Sequence, residues 1–248
     1  MRKILSFLVI MAIALNLAGI AFATPITFTG SSGNLAASAN FTVSESNLVV
    51  TLTNTSLADV LVPTEVLTAV FFTLAGDPTL TRVSAVLAIG SSVLFPPSGG
   101  GGPNVGGEWA YKDGLIGAPL GADEGISSAG FGLFGSRDRF PGSNLQNNSS
   151  PAGLEYGITS AGDNPSTGNN NNVKGKYALI KNSVDFTFGL PNGFTFDPSA
   201  QGAITNVSFQ YGTSLTDPNI PVPEPATMVL LGFGLIGVAG FVRKRFKK

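Results

Sequence analysis

The chain has 248 residues, no cysteine and no histidine, 12 % charged residues, a formal net charge of −1, 32 glycines and 16 prolines. With neither thiol nor imidazole there is no disulfide framework, no thiol nucleophile, no Ser-His-Asp triad and no ordinary zinc or haem site. Basic residues gather at the two ends and leave the stretch between them mildly acidic. That argues against nucleic acid as a partner, because neutralising phosphates needs a basic face.

Arg2-Lys3, the apolar residues 4–20 and Ala21-Phe22-Ala23 read as the charged start, hydrophobic segment and small-residue cleavage site of a secretory signal peptide over residues 1–23. Signal peptidase is expected to cut between Ala23 and Thr24. Beyond Thr24 the apolar period becomes two. Leu35, Ala37, Ala39, Phe41 and Val43 alternate with small polar residues, as do Leu48, Val50 and Leu52 after a polar break at 44–47, which predicts a β-hairpin with one buried face. Residues 66–74 are continuously apolar, as in a strand covered on both sides, and strands are expected at 81–89 and 92–95 with Asp77-Pro78 and Gly90 as punctuation.

Residues 98–107 form a glycine-rich stretch without the Lys-Ser/Thr and helix that a phosphate cradle needs, and are expected to be a flexible loop. The region 111–176 is polar and turn-rich, and its asparagine run at 169–172 is expected at an exposed loop tip. Strand periodicity returns at 177–180, 184–188 and 204–211, where Val207 and Phe209 should face opposite to Ser208 and Gln210. No stretch between 24 and 222 keeps a 3.6-residue period long enough for a substantial helix. The expected fold is therefore all-β: a single sandwich or jelly-roll-like exported domain over residues 24–219.

Few residues in this domain suggest chemistry. Glu108 with Asp123 or Glu124 would make a carboxylate pair of the kind glycosidases use, if the chain brought them about 5–9 Å apart. Trp109 and Tyr111 fall on one side of a strand and offer aromatic faces for a sugar, or else fill the core. Asp163 and Asn164 offer hard oxygen ligands for Ca²⁺, without the spaced loop of an EF-hand. Gly130, Gly132 and Gly135 match a dinucleotide-binding pattern by letter, but no strand-then-helix context accompanies them. The reading assigns no catalytic residue, no cofactor and no metal ligand, and expects no enzyme.

The last 29 residues, 220–248, have three parts. Pro221, Pro223 and Pro225 surround Glu224, and should hold an extended segment that resists joining a helix or a sheet. Residues 226–242 are uncharged and apolar, and at about 1.5 Å per residue a helix over them is roughly 26 Å long, enough for a short membrane span. Arg243, Lys244, Arg245, Lys247 and Lys248 then act as a stop-transfer signal that keeps this end cytoplasmic and the β domain outside.

Pro223-Glu224-Pro225, one apolar helix and a basic end, in that order, resemble the PEP-CTERM sorting tail of Gram-negative, exopolysaccharide-producing bacteria. The resemblance implies a precursor held in the inner membrane by its tail, removal of that tail by an exosortase, and delivery of the rest to the cell surface or biofilm matrix. The exported domain as a whole also resembles exosortase-dependent surface proteins with no biochemical activity attached, and is therefore expected to be a structural or exopolysaccharide-associated component. A carbohydrate-binding module is the alternative, which a solvent-exposed Trp109 would favour.

Overall fold

The computed structural model describes residues 24–98, 101–137, 139–140, 144–145 and 151–223. In chain order its strands are β1 (Ile26–Ser32), β2 (Leu35–Ser44), β3 (Asn47–Asn54), β4 (Leu67–Leu74), β5 (Thr81–Leu87), β6 (Ser92–Leu94) and β7 (Ala110–Lys112). There follow β8 (Glu124–Ser127), β9 (Ile158–Thr159), β10 (Leu179–Lys181), β11 (Ser183–Gly189), β12 (Ile204–Tyr211) and β13 (Asn219–Pro221). Helical structure among the described residues is limited to single turns of three to five residues. Among those residues no helix is long and apolar enough to cross a membrane; the signal-peptide segment 1–23 and the span 226–242 lie outside them.

The alternation read in the sequence produces the hairpin directly. β2 and β3 pair from Ala37↔Asn54 to Ser44↔Asn47, closed by Glu45-Ser46 with Glu45 at φ 55°. Ala37, Ala39, Phe41, Leu48, Val50 and Leu52 are buried on one face. β11 continues the sheet on β3, and β5 on β11, giving the antiparallel order β1-β2-β3-β11-β5. The second sheet has the order β13-β12-β4-β9-β10-β6, with β8 added to β4 and β7 to β8. The apolar faces of the two sheets share one core: Phe41 of the first meets Phe72 of the second edge-to-face at 5.2 Å.

β4 is the centre of the second sheet, and its continuous apolarity has the expected cause. Leu67, Val70, Phe72 and Leu74 pack in the shared core, while Ala69 and Phe71 meet Leu115, Ala118, Ala122, Phe134 and Phe140 on the other side. Loops rather than a third sheet cover that outer face. Val207 and Phe209 of β12 enter the shared core, as their alternation predicted, and Ser208 and Gln210 are buried on the opposite side. Gln210 is satisfied there: its Nε2 donates to the carbonyls of Tyr211, Ser214, Asp217 and Pro218.

Four features depart from the sequence reading. β1 was not expected, since its sequence ITFTGSS breaks alternation at Gly30 and buries only Phe28. Gly30 is needed there because a Cβ would stand 2.8 Å from Ile220 Cγ2, so its absence lets the first sheet's edge close onto β13. β7, β8 and β9 lie inside the stretch read as polar turns; at two to four residues each they are too short to display a period. The second half of the glycine-rich stretch is pinned rather than free, with Leu87 N donating to Pro103 O and Val105 N to Ala85 O. Finally, Pro221 does join a sheet, opposite Ser208 in β13. An edge strand tolerates proline because the missing N–H can fall on the side where no partner strand lies.

Candidate functional site

The sorting tail leaves the domain from this edge strand. Ile220 is buried against Phe209 and Gly30, Val222 N donates to Val207 O at 2.9 Å, and Pro223 is exposed one residue later. Pro223 thus follows directly on the hydrogen-bonded edge of the second sheet. Glu224, Pro225, the span 226–242 and Arg243, Lys244, Arg245, Lys247 and Lys248 lie outside the described residues, as do Ala21 and Ala23. Thr24, the expected first residue after signal-peptide cleavage, is exposed two positions before β1.

Trp109 and Tyr111 are where the expectation of a sugar platform meets the core. Trp109 is 0 % exposed and packs edge-on against Phe186 at 5.0 Å; Tyr111 lies 4.7 Å from Phe188. Trp109 precedes β7 and Tyr111 lies in it, and both rings turn inward, so neither offers a face to a ligand in solvent.

The glycine pattern at 130–135 is a tight turn. Leu133 N and Phe134 N both donate to Gly130 O at 2.9 Å, and Gly132 has φ 74°. A Cβ at Gly130 would collide with the Arg137 carbonyl. Close backbone approach requires these glycines, with no nucleotide involved.

The Asp163-Asn164 pair is already committed within the fold. Asp163 is 3 % exposed, and its Oδ1 accepts from Val60 N at 2.9 Å. Burial raises its carboxyl above the ordinary range, with the Val60 N–H and the Thr159 hydroxyl pulling the other way. Asn164 Oδ1 accepts from Ser166 N at 3.2 Å and caps a helical turn.

A different set of acids converges at one end of the sandwich. β4, β8 and β7 run antiparallel in turn, so the turn after β4, the end of β7 and the start of β8 coincide there. Those positions carry Asp77, Asp113 and Glu124, and one carboxylate oxygen from each lies within 4.8 Å of the others. Asp77 and Asp113 reach solvent. Glu124 sits opposite Phe72, so it points to the core face, is 0 % exposed, and neither of its oxygens has a hydrogen-bond partner.

Burial first, then repulsion from Asp113, Asp123 and Asp77, pushes Glu124 up to about 9. The Tyr111 hydroxyl opposes this but does not reach hydrogen-bonding geometry with either oxygen, and is itself unpartnered. Among the described residues no ion pair reaches the cluster: Lys112 Nζ donates to Leu133 O at 2.6 Å, and the salt bridge is Arg139–Glu155. Glu124 was read as half of a glycosidase pair, yet the acids gathered with it are Asp77 and Asp113, while Glu108 acts on Tyr156. The sequence held no sign of Asp77, which reaches Glu124 only through the pairing of β8 with β4.

No curated protein and no solved structure matches the chain. Residues 221–245 match the family model of the PEP-CTERM protein-sorting motif. That match begins at Pro221 in the edge strand, takes in the exposed Pro223 and runs through the apolar and basic segments: the chain carries a PEP-CTERM sorting tail, which implies export and a membrane-anchored precursor ahead of exosortase cleavage.

Proposed function

We propose that the β domain is a non-catalytic structural or exopolysaccharide-associated component of the cell surface or extracellular matrix, sorted there by its tail. In this reading signal peptidase removes residues 1–23, and the basic residues after 242 hold the end of the tail in the cytoplasm with the domain outside the inner membrane. Exosortase then frees the domain. The observation that carries the proposal is the sorting-motif match at 221–245. The position of Pro223 supports it, because this exposed first residue of the motif directly follows the folded edge. Burial of Trp109 and Tyr111 removes the residues on which a carbohydrate-binding module would have rested.

The test is Glu224→Ala in the exporting host, followed by fractionation. Export and insertion should be intact while processing fails, so that the protein accumulates in the membrane fraction. Release of the variant as fast as wild type would remove Glu224 from recognition.

A further inference from the structure

We propose that Asp77, Asp113 and Glu124 form a calcium site that clamps the end of the sandwich where β4, β7 and β8 meet. Three carboxylates from three separate segments converge, with one oxygen of each within 4.8 Å of the others. That spacing admits a central ion with oxygens at about 2.3–2.6 Å, and Ca²⁺ accepts the irregular shell that three protein carboxylates and water provide, where Mg²⁺ demands near-ideal octahedral geometry. The donors are all oxygens, which selects a hard cation, and the chain has no Cys or His to favour zinc.

The second observation is Glu124 itself. A fully buried carboxylate normally accepts hydrogen bonds, and buried Asp163 does. Neither Glu124 oxygen has a partner, the nearby Tyr111 hydroxyl staying out of hydrogen-bonding geometry, and one of them converges with Asp77 and Asp113. Burying an acid beside two more acids is unfavourable unless something positive joins them. A divalent ion bound to one oxygen of each residue, with water completing its shell from the solvent side at Asp77 and Asp113, supplies that charge. It would tie the turn after β4 and the end of β7 to β8, adding to their backbone pairing, their core contacts and the Asp123 N–H donated to Thr73 Oγ1. The site does not depend on the tail, although an exported domain would meet calcium at the millimolar level that extracellular modules bind.

The experiment uses the full chain in detergent, stripped with EDTA and then melted with and without about 5 mM CaCl₂, above the 10⁻⁴–10⁻³ M range of extracellular sites. Calcium should raise the midpoint by about 3–5 °C. Tb³⁺ in place of Ca²⁺ should luminesce on excitation of the neighbouring Tyr111, and Ca²⁺ should displace it. Glu124→Gln should abolish both responses, and the solvent-reaching Asp113→Asn should weaken calcium affinity about tenfold. Asp163→Asn should respond as wild type does. Absence of a shift and of Tb³⁺ emission in wild type overturns the proposal, as does a full response in Glu124→Gln and Asp113→Asn together.

Discussion

Two carboxylates are buried among the described residues, and they are held in opposite ways. Asp163, which follows β9 in the chain, accepts the Val60 N–H and lies beside Lys181, whose Nζ donates to the Asp163 carbonyl at 2.9 Å. Glu124, on β8, accepts nothing and is surrounded by Asp77, Asp113, Asp123 and a tyrosine hydroxyl. Burial is similar at the two sites, so burial does not separate them. The difference lies in what the neighbours donate. At Asp163 the protein provides its own donor and the acid serves as a pin. At Glu124 the neighbours are further acids and a tyrosine hydroxyl out of hydrogen-bonding geometry, and in the proposal above a cation completes the site.

The sharpest way to break this contrast is to remove the pin. Asp163→Ala leaves the Val60 N–H buried without an acceptor and should cost about 2–3 kcal/mol in a denaturant titration. A loss below about 0.5 kcal/mol, the size of an ordinary surface substitution, would mean that the bond contributes little.

The contrast is tested from the other side by the pH response of the EDTA-treated chain. Folded Glu124 holds its proton up to about 9, against an ordinary 4.5 when unfolded. Below 4.5 both states are protonated and the group is neutral in the balance. As pH rises from 4.5 towards 9, the unfolded chain gives up its proton while the folded one keeps it, so stability falls across that window. Glu124→Gln should flatten this part of the curve. Melting curves of the two proteins across the window check it, and identical slopes would contradict the assignment.

A smaller effect is expected from Asp163→Asn, which keeps an oxygen for Val60 and should cost less than about 1 kcal/mol. The smallest belongs to Glu124→Gln in EDTA below about pH 4.5, where the acid is neutral in both the folded and the unfolded state. An amide replaces a neutral acid there, and stability should change by no more than about 0.5 kcal/mol, whereas at neutral pH the variant should be the more stable of the two. A loss of several kcal/mol would show that Glu124 has a protein partner after all.

What the sequence revealed follows from the range over which each signal acts. The hairpin Leu35–Ser44 and Asn47–Asn54 and the doubly covered strand Leu67–Leu74 are written as local periodicity, and they were legible. The sorting tail is also local: a motif, a span and a charge cluster in order, matched over 221–245. β1, by contrast, is stabilised by its register with β2 and by the missing side chain of Gly30 against Ile220, neither of which a window of residues displays. Pro221 was read from its intrinsic stiffness alone, and a free sheet edge proved able to accept it. The acid cluster was illegible for the same reason as β1. Asp113, Asp123 and Glu124 flank one loop, but Asp77 joins them through β4–β8 pairing, and Asp77-Pro78 looked like plain turn punctuation. Trp109 precedes β7 and Tyr111 lies in it, and both rings turn into the core, an outcome that the position of the second sheet decides and a local window does not display.

The central claim is that the tail sorts this domain and is then removed. Its most direct test is the intact mass of the protein recovered from the surface and matrix fractions of the exporting cell. The account predicts a species that begins at Thr24 and lacks the apolar and basic segments 226–248. A recovered species that retains residues 226–248, or a β domain found in the cytoplasm, would contradict it.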